Sequence, residues 1–402
     1  MHLKQSPFDT QELVASIIWH LDHDDAPGQS KQDFLTCALV ARLWTYPAQS
    51  CIFRQLLWRP SHLCLCWPLL RRALGSAPYL VQHIRRLRIY SGELPTNFVD
   101  LFSDMCTFSF THLEHADVFV DSTMPVQNVL AVRELFGLTT LRSVGFRWMR
   151  SSYDLESFRR LWELCSPSIK HLVLHLYAGS SSYRPPPISA PRRSQTPVIF
   201  LESLYIYTSD SLDHVLHATP FSLGQLNKLS VSFFIKSVSW HPFVLSLQSL
   251  QYLAFGLDVR VLGSYDTPSN PVIKFGQTTP SSIDLSLLPN LVVLGIWFNR
   301  VDAAERELKV LSTINAAHQI STIIFQTSVF VSSACEKLDA KLSSLPMRQP
   351  PIVVLDMDDG KYYQWRQNMP TLRSSNLLRR ADPKCSCCKP LSAWPFARSW
   401  EE

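Results

Sequence analysis

One pattern recurs along most of the chain and constrains its fold more than any other feature. The pattern is an apolar residue, two others, an apolar residue, one other and a final apolar residue. Successive copies start mostly about 24 to 32 residues apart, a period typical of stacked repeats. The copies are Ile84/Leu87/Ile89, Leu141/Val144/Phe146, Ile169/Leu172/Leu174, Leu201/Leu204/Ile206, Leu226/Leu229/Val231, Leu250/Leu253/Phe255, Leu291/Leu294/Ile296 and Ile320/Ile323/Phe325, with a weaker one at Leu113/Ala116/Val118 and a last strand predicted at 352–355.

The internal spacing of each copy predicts a short strand of a parallel sheet. The last two apolar positions alternate, so they point to one side of a strand, and the first position turns into the same core. Segments 157–164 and 303–311 have the period and composition of helices that return the chain between strands. The alternative to stacked repeats is an ordinary parallel α/β domain with leucine-rich strands.

Two polar segments, near 178–197 and 263–282, interrupt the period. They cannot bury enough apolar surface to order themselves, so we predict mobile loops there. Residues 360–402 are expected to form a C-terminal cap, sealed by Trp365, and a basic tail. That tail contains Cys385, Cys387 and Cys388, for which we predict no metal site, because tetrahedral zinc usually takes four ligands in two separated pairs.

The N-terminal segments 12–21 and 33–44 have the apolar spacing of short amphipathic helices. Pro27-Gly28 between them predicts a turn. A third helix is expected to start near Pro47, because proline is tolerated in a first helical turn. This third helix would carry Ile52, Phe53, Leu56 and Leu57. Taken alone, the three helices could simply cap the end of a larger domain.

The order of side chains in these helices is more specific than their period. It reads Glu-Leu, three residues, Ile-Ile, two residues and Leu, and in the second helix Leu, three residues, Leu-Val, three residues and Trp. This order resembles the F-box over residues 1–60, although the usual Leu-Pro start is replaced by Asp9-Thr10 and the first loop is longer. Residues 61–359 resemble the degenerate leucine-rich repeats that follow F-boxes in fungal F-box-like proteins, with the repeat asparagine present only at Asn299.

The resemblance implies an α/β chain in which a three-helix F-box precedes a leucine-rich-repeat-like solenoid with a parallel inner sheet. It further implies a substrate-recognition subunit of a Skp1–cullin–F-box ubiquitin ligase, which binds Skp1, and through it cullin, and presents an unknown protein target. A non-ligase leucine-rich-repeat scaffold or binding protein is the alternative. Carried over by position, the Skp1-binding residues are Leu13, Ile17, Ile18, Leu35, Leu39, Val40 and Trp44.

Residues that alternate with the core positions should line the other face of the strands. This face offers arginine, tyrosine and tryptophan, the residue types enriched in protein-recognition hot spots. An acidic or phosphorylated target segment could meet the arginines. In the alternative interpretation the aromatic rings only cover neighbouring strands. The candidate target-binding residues are Arg88, Arg147, Tyr205, Tyr207 and Trp297.

The sequence indicates neither an enzyme nor a cofactor protein. Phosphate-binding glycine loops, the zinc-binding His-Glu-x-x-His motif and the Gly-x-Ser-x-Gly nucleophile motif are all missing. The net charge of +5 is spread too thinly to predict nucleic-acid binding. The chain begins without a secretory signal and contains no apolar stretch of membrane-spanning length. We therefore expect a protein of the cytoplasm, the nucleus or both.

Overall fold

The computed structural model describes two compact units, Met1–Ile169 (unit 1) and Lys170–Glu402 (unit 2). The predicted loops near 178–197 and 263–282 lie outside the described residues. Those residues are 17, 27–40, 42–58, 66–91, 108–120, 126–148, 155–176, 198–208, 219–233, 247–257, 283–298, 308–327, 332–382 and 385.

Unit 1 contains a parallel sheet in the order β1-β2-β3-β4. The strands follow one another in the sheet as they do in the chain, which is the arrangement expected for repeated strand-and-return units. In chain order the elements are α1 (Pro27–Val40), α2 (Arg42–Ile52), β1 (Gln55–Trp58), α3 (Cys66–Ser76), a 3₁₀ helix (Pro78–His83), β2 (Arg86–Ser91), β3 (His115–Val120), α4 (Val126–Phe136), β4 (Ser143–Trp148) and α5 (Leu155–Leu161).

Three predictions for the N-terminal segment are wrong. Pro27 starts a helix instead of a turn. Proline is tolerated there because N–H groups of the first helical turn have no helical partner, so its missing N–H costs no hydrogen bond. Pro47 lies inside α2, which begins at Arg42. Leu56 belongs to a strand because it pairs with Leu87 of β2, and this ladder outweighs local helical preference. Of the predicted first helix, only Ile17 is described, and it is helical.

The core of unit 1 lies between its sheet and the returning helices. The copy positions Leu87, Ala116 and Val144 lie opposite one another in adjacent strands and are buried. Phe146 of β4 meets Trp162 edge to face at 6.2 Å between ring centroids. Trp162 also stacks on Phe136 of α4 at 5.1 Å. The helix predicted near 157–164 therefore exists, as α5 with a following turn, and its aromatic residues close the core.

Unit 2 repeats this construction with eight parallel strands in the order β5-β7-β9-β10-β11-β12-β13-β14, and a small sheet formed by β6 and β8. In chain order its elements are β5 (His171–Leu176), β6 (Ile199–Phe200), β7 (Ser203–Thr208), β8 (Phe221–Ser222), β9 (Lys228–Phe233), β10 (Tyr252–Leu257), a 3₁₀ helix (Leu285–Leu287), β11 (Val293–Phe298), β12 (Thr322–Thr327), α6 (Ser332–Ser343), β13 (Ile352–Asp356), α7 (Asp359–Gln367), α8 (Pro370–Ser374) and β14 (Leu378–Arg380).

The C-terminal helices of unit 2 are anchored to its core. The buried Asp339 of α6 accepts hydrogen bonds from the first backbone N–H groups of α8, at Thr371 (3.0 Å) and Leu372 (2.9 Å). A carboxylate at this end also complements the helix dipole. Trp365 of α7 is fully buried, and its role in sealing a last repeat stays a prediction.

A ladder of hydroxyl groups joins successive copies in both units. Ser168 donates to the carbonyl of Leu141 at 2.8 Å, and Thr140 donates to that of Leu113 at 2.8 Å. In unit 2, Ser249 donates to the carbonyl of Leu226 at 3.0 Å. Each donor directly precedes the first apolar residue of its copy. Each hydroxyl thus supplies a hydrogen-bond donor to a turn carbonyl of the preceding copy.

The predicted α/β fold with parallel strands is confirmed in the described residues. The three-helix F-box and the solenoid stay predictions.

Candidate functional site

The first, third and fifth residues of each full-length strand point away from the core, and we call this side the opposite face. In unit 1 it carries Arg88 on β2, Asp117 on β3 and Arg147 on β4. Arg88 lies directly opposite Asp117, and Arg147 lies two residues beyond Gly145, the β4 residue opposite Asp117. Adjacent strands therefore bring together two of the predicted target-binding residues and one carboxyl group.

Asp117 is the unusual member of this group, because only 8% of it is exposed and one of its oxygens, Oδ1, is buried without a hydrogen bond from any described residue. Burial disfavours the charged form and raises the pKa of Asp117 to about 7, although Arg147 and then Arg88 act in the opposite direction. Burial likewise lowers the pKa of Arg88 from its ordinary value, while Asp117 opposes that change. The carboxyl group of this cluster can therefore gain or lose a proton near neutral pH.

Two rings lie beside the charged cluster. Tyr90 follows Arg88 along β2, and its ring lies 5.2 Å from that of Phe119 on β3. Both residues are half-buried. Unit 1 therefore presents aromatic surface next to cationic groups.

In unit 2 the opposite face is aromatic. The imidazole of His175 stacks on Tyr205 at 5.2 Å and on Tyr207 at 5.3 Å between ring centroids, with interplanar angles of 22° and 23°. Tyr205 is half-buried, whereas Tyr207 is buried. Stacking fixes the orientation of these side chains, so less conformational entropy is lost when a partner binds them.

Trp297 extends this aromatic group, since its ring lies 6.4 Å from that of Tyr205. The residue opposite Trp297 in β10 is Gly256, and a Cβ atom there would lie 2.4 Å from both the Cβ and the backbone oxygen of Trp297. Glycine is therefore required for this close approach. Among the described residues, neither Nε1 of Trp297 nor the hydroxyl of Ser230 on β9 has a hydrogen-bond partner, although both are buried.

Part of the opposite face of unit 2 is covered by the chain itself. Ala254, Ile324 and Val354 form a buried apolar strip across β10, β12 and β13. Ala381 and Cys385, which follow β14, pack against this strip, as does Trp297. The aromatic group near Tyr205 is therefore the better candidate for contact with another molecule than the apolar strip.

The predicted Skp1-binding residues are only partly described. Leu35 and Leu39, one helical turn apart on α1, are 50% and 87% exposed. Trp44 is half-buried and packs against the buried pair Phe34 and Ala48. Ile17 is half-buried, whereas Leu13, Ile18 and the side chain of Val40 lie outside the described residues.

The acidic run after β13 serves the structure. Asp358 accepts a hydrogen bond from the backbone N–H of Lys361 at 2.9 Å and so caps α7. It also forms an ion pair with the Lys361 side chain, and Asp359 forms one with Arg380. Within the part of the chain that the structure describes, no group of His, Cys, Asp or Glu side chains has the arrangement of a metal site.

Sequence reasoning missed Asp117 and the packing role of Gly256. Asp117 lies between the last two apolar positions of the weak copy Leu113/Ala116/Val118, so extending the alternation to that copy would have found it. The clash at Gly256 depends on a neighbour 41 residues further along the chain and has no local signal.

Comparison with protein-family models gave no match, and comparison with curated proteins gave none either. Among the described residues, the helices are all too short or too polar to cross a lipid bilayer.

Proposed function

We propose that this chain is the substrate-recognition subunit of a Skp1–cullin–F-box ubiquitin ligase. The N-terminal helices would bind Skp1, and the opposite faces of the strands would hold a target protein. The chain would then act by raising the concentration of its target beside the ubiquitin-carrying enzyme, without chemistry of its own.

The observation that carries the proposal is the exposure of Leu35 and Leu39 on a helix whose other side is packed. Phe34 of the same helix is buried with Ala48 of α2, so α1 already has an internal contact. Leucines one turn apart on the outer side are the usual anchors of a helix that docks in a partner's groove. This pair also falls at the positions that the F-box resemblance assigns to Skp1.

The proposal is tested by co-purification of Skp1 and cullin with the full chain. The double variant Leu35→Glu/Leu39→Glu should reduce Skp1 recovery more than tenfold, because each lost anchor costs about 2 kcal/mol of binding. Leu164→Glu is the matched control, since Leu164 is 53% exposed and lies outside α1.

Equal recovery of Skp1 by the double variant and the wild type would contradict this docking surface. Failure of a well-folded wild-type chain to recover Skp1 at all would favour a binding protein outside the ligase pathway.

Target binding rests on the aromatic group of unit 2. Tyr205→Ala/Trp297→Ala should remove target proteins from affinity purifications while Skp1 is retained, because exposed edges of rigid aromatic rings contribute much of the energy of protein interfaces. Tyr363→Ala is the control, since this tyrosine of α7 is 60% exposed and distant in sequence from the group. Unchanged targets in the folded double variant would exclude this surface.

A further inference from the structure

We propose that residues 386–402 of this chain bind the opposite face of unit 2 in extended form, where they cover Tyr205 and Trp297. These residues follow Cys385, the last described residue. The chain would then occupy its own aromatic surface until a stronger partner displaces the segment. The binding itself is independent of the ligase proposal, whereas competition with a target rests on that proposal.

The described end of the chain already turns onto this face. Ala381 donates its N–H to the carbonyl of Leu355 at 3.0 Å and so extends the pairing of β14, the last strand in the order of the sheet. The N–H of Cys385 then donates to the carbonyl of Asp382 at 3.1 Å, which closes a turn. Ala381 and Cys385 both pack against the apolar strip. The segment that follows therefore starts on the opposite face of unit 2.

Trp297 continues the interface that Ala381 and Cys385 have begun. It packs against the same strip, and its ring lies 6.4 Å from that of Tyr205. Both Trp297 and Tyr205 are half-buried. Neighbouring strands are about 4.8 Å apart. Residues 386–402, fully extended, span roughly 50 Å. The segment is therefore long enough to pass from the strip across Trp297 to Tyr205.

The composition of the segment suits an aromatic surface. It contains Trp394, Phe396 and Trp400. Pro395 restricts the preceding Trp394 to extended backbone conformations. In an extended segment, Trp394 and Phe396 point to the same side. Two rings can thus meet the rings of the face together, in the offset or edge-to-face arrangements that aromatic side chains favour.

Two buried polar atoms on this face also call for a partner with hydrogen-bond acceptors. Nε1 of Trp297 and Oγ of Ser230 have no hydrogen bond to any described residue. Ser230 lies between Tyr205 of β7 and Ala254 of the strip, because it is opposite both in the sheet. Buried donors are nearly always paired in folded proteins. Backbone carbonyls of an extended segment that crosses from the strip to Tyr205 would supply such acceptors.

Attachment to the same chain makes this occupant effective even if its own affinity is modest. A short tether gives an effective concentration of about 1 mM. A segment whose free form binds more tightly than about 100 µM would therefore occupy the face more than about nine-tenths of the time. A target would bind at its full affinity only after the segment has been displaced.

Fluorescence anisotropy with a labelled peptide of residues 386–402, under reducing conditions, tests the proposal on the full chain. In the tail variant, Trp394→Ser/Phe396→Ser/Trp400→Ser, the face is released, and the peptide should bind more tightly than about 100 µM. The wild type should bind it at least tenfold more weakly, because its own segment competes. Ser392→Ala/Ser399→Ala is the matched control within the segment and should behave as the wild type does.

Substitutions on the face locate the binding site. Tyr205→Ala/Trp297→Ala, added to the tail variant, should weaken peptide binding at least tenfold. Tyr363→Ala, added in the same way, should leave it unchanged, since this exposed tyrosine belongs to α7. Circular dichroism and the urea midpoint show that each variant is folded.

Photo-crosslinking detects the contact in the undivided chain. A benzophenone amino acid in place of Phe396 should form its crosslink with residues 203–208, 228–233 or 293–298, the strands that carry Tyr205, Ser230 and Trp297. Mass spectrometry of the digested protein identifies the position.

The proposal is wrong if the tail variant binds the peptide no more tightly than the wild type does, if the face substitutions leave binding unchanged, or if the crosslink falls elsewhere. Skp1 recovery is measured on the same variants. Loss of peptide binding with Skp1 retained removes this inference alone, and failure to recover Skp1 with peptide binding retained removes the ligase proposal alone.

Discussion

The opposite faces of units 1 and 2 use equivalent strand positions for different chemistry. In unit 1 the third and fifth positions carry Arg88, Asp117 and Arg147, and the carboxyl group of Asp117 is buried. In unit 2 the same positions carry Tyr205, Tyr207 and Trp297. The ring of His175 stacks on both tyrosines, and the ring of Trp297 lies near that of Tyr205. The difference teaches that the repeated strand fixes only where side chains point. The residues at those points decide what the surface can bind.

The two faces also differ in how completely they are packed. Trp297 lies so close to Gly256 that no side chain fits there, and the tail after β14 covers the neighbouring strip. Asp117 is instead buried without a hydrogen bond to its Oδ1 from any described group. Close packing stabilises unit 2, whereas unit 1 retains a polar group whose burial costs free energy.

The largest expected effect tests the close packing of unit 2. Gly256→Ala should destabilise the protein by about 3 kcal/mol, because the new methyl group would overlap the backbone of Trp297 and force the strands to shift. Gly224→Ala is the control, since the nearest atom, Oγ of Ser222, would lie 3.7 Å from the new Cβ. Urea denaturation measures both. Equal midpoints for the two variants would show that the Trp297 contact can relax, and the contrast between the faces would weaken.

A smaller effect tests the buried carboxyl group of unit 1. The folded-state pKa of Asp117 is raised to about 7 from an ordinary 3.8, so the folded state holds this proton more tightly than the unfolded state. Stability should therefore be highest at low pH and fall as the pH rises from about 4 to about 7. Between pH 5 and pH 8 this loss is about 2 to 3 kcal/mol.

Asp117→Asn should remove that loss, which hydrogen exchange of the β3 amides at the two pH values can measure. Glu114→Gln is the control, because the side chain of Glu114 is 43% exposed and its ion pair with Arg85, at 3.1 Å, is expected to contribute less than about 1 kcal/mol. A pH dependence that persists in Asp117→Asn would mean that another group titrates in unit 1.

The smallest effect concerns the hydroxyl ladder that the two units share. Ser168→Ala in unit 1 and Ser249→Ala in unit 2 should each cost about 1 kcal/mol, since each leaves a turn carbonyl without its donor. Ser374→Ala should cost less, because its hydroxyl bonds to the carbonyl of Thr371 within its own helix instead of joining two copies. Denaturation midpoints of the three variants provide the comparison, and very different costs at Ser168 and Ser249 would show that the units differ in their turns as well as in their faces.

Much of the strand arrangement could be predicted from spacing alone. The apolar positions of each copy are buried, as the spacing predicts. The last two positions alternate along a strand and so share one face, and the first position turns into the same core. The candidate residues Arg88 and Arg147 were found by the same alternation. Asp117 was missed because its copy is weak, although the same rule places it between them.

The N-terminal segment was harder to predict because its helix boundaries depend on distant contacts. Leu56 lies in the segment predicted to be the third helix, yet it belongs to a strand and pairs with Leu87 of the parallel strand β2. The spacing of Trp44 suits either a partner or the module itself, and the structure shows one side of it packed against Phe34 and Ala48. Local sequence contains the apolar pattern but not the identity of the element that covers it.

The sequence by itself determined the strand period, the parallel arrangement and the residues available on each face, because these follow from the alternation of side chains along the backbone. Only the tertiary structure decided which of those residues meet. Register between strands far apart in the chain brought Asp117 between two arginines and Trp297 over Gly256. Burial, which is a property of the assembled strands, then set the pKa of Asp117.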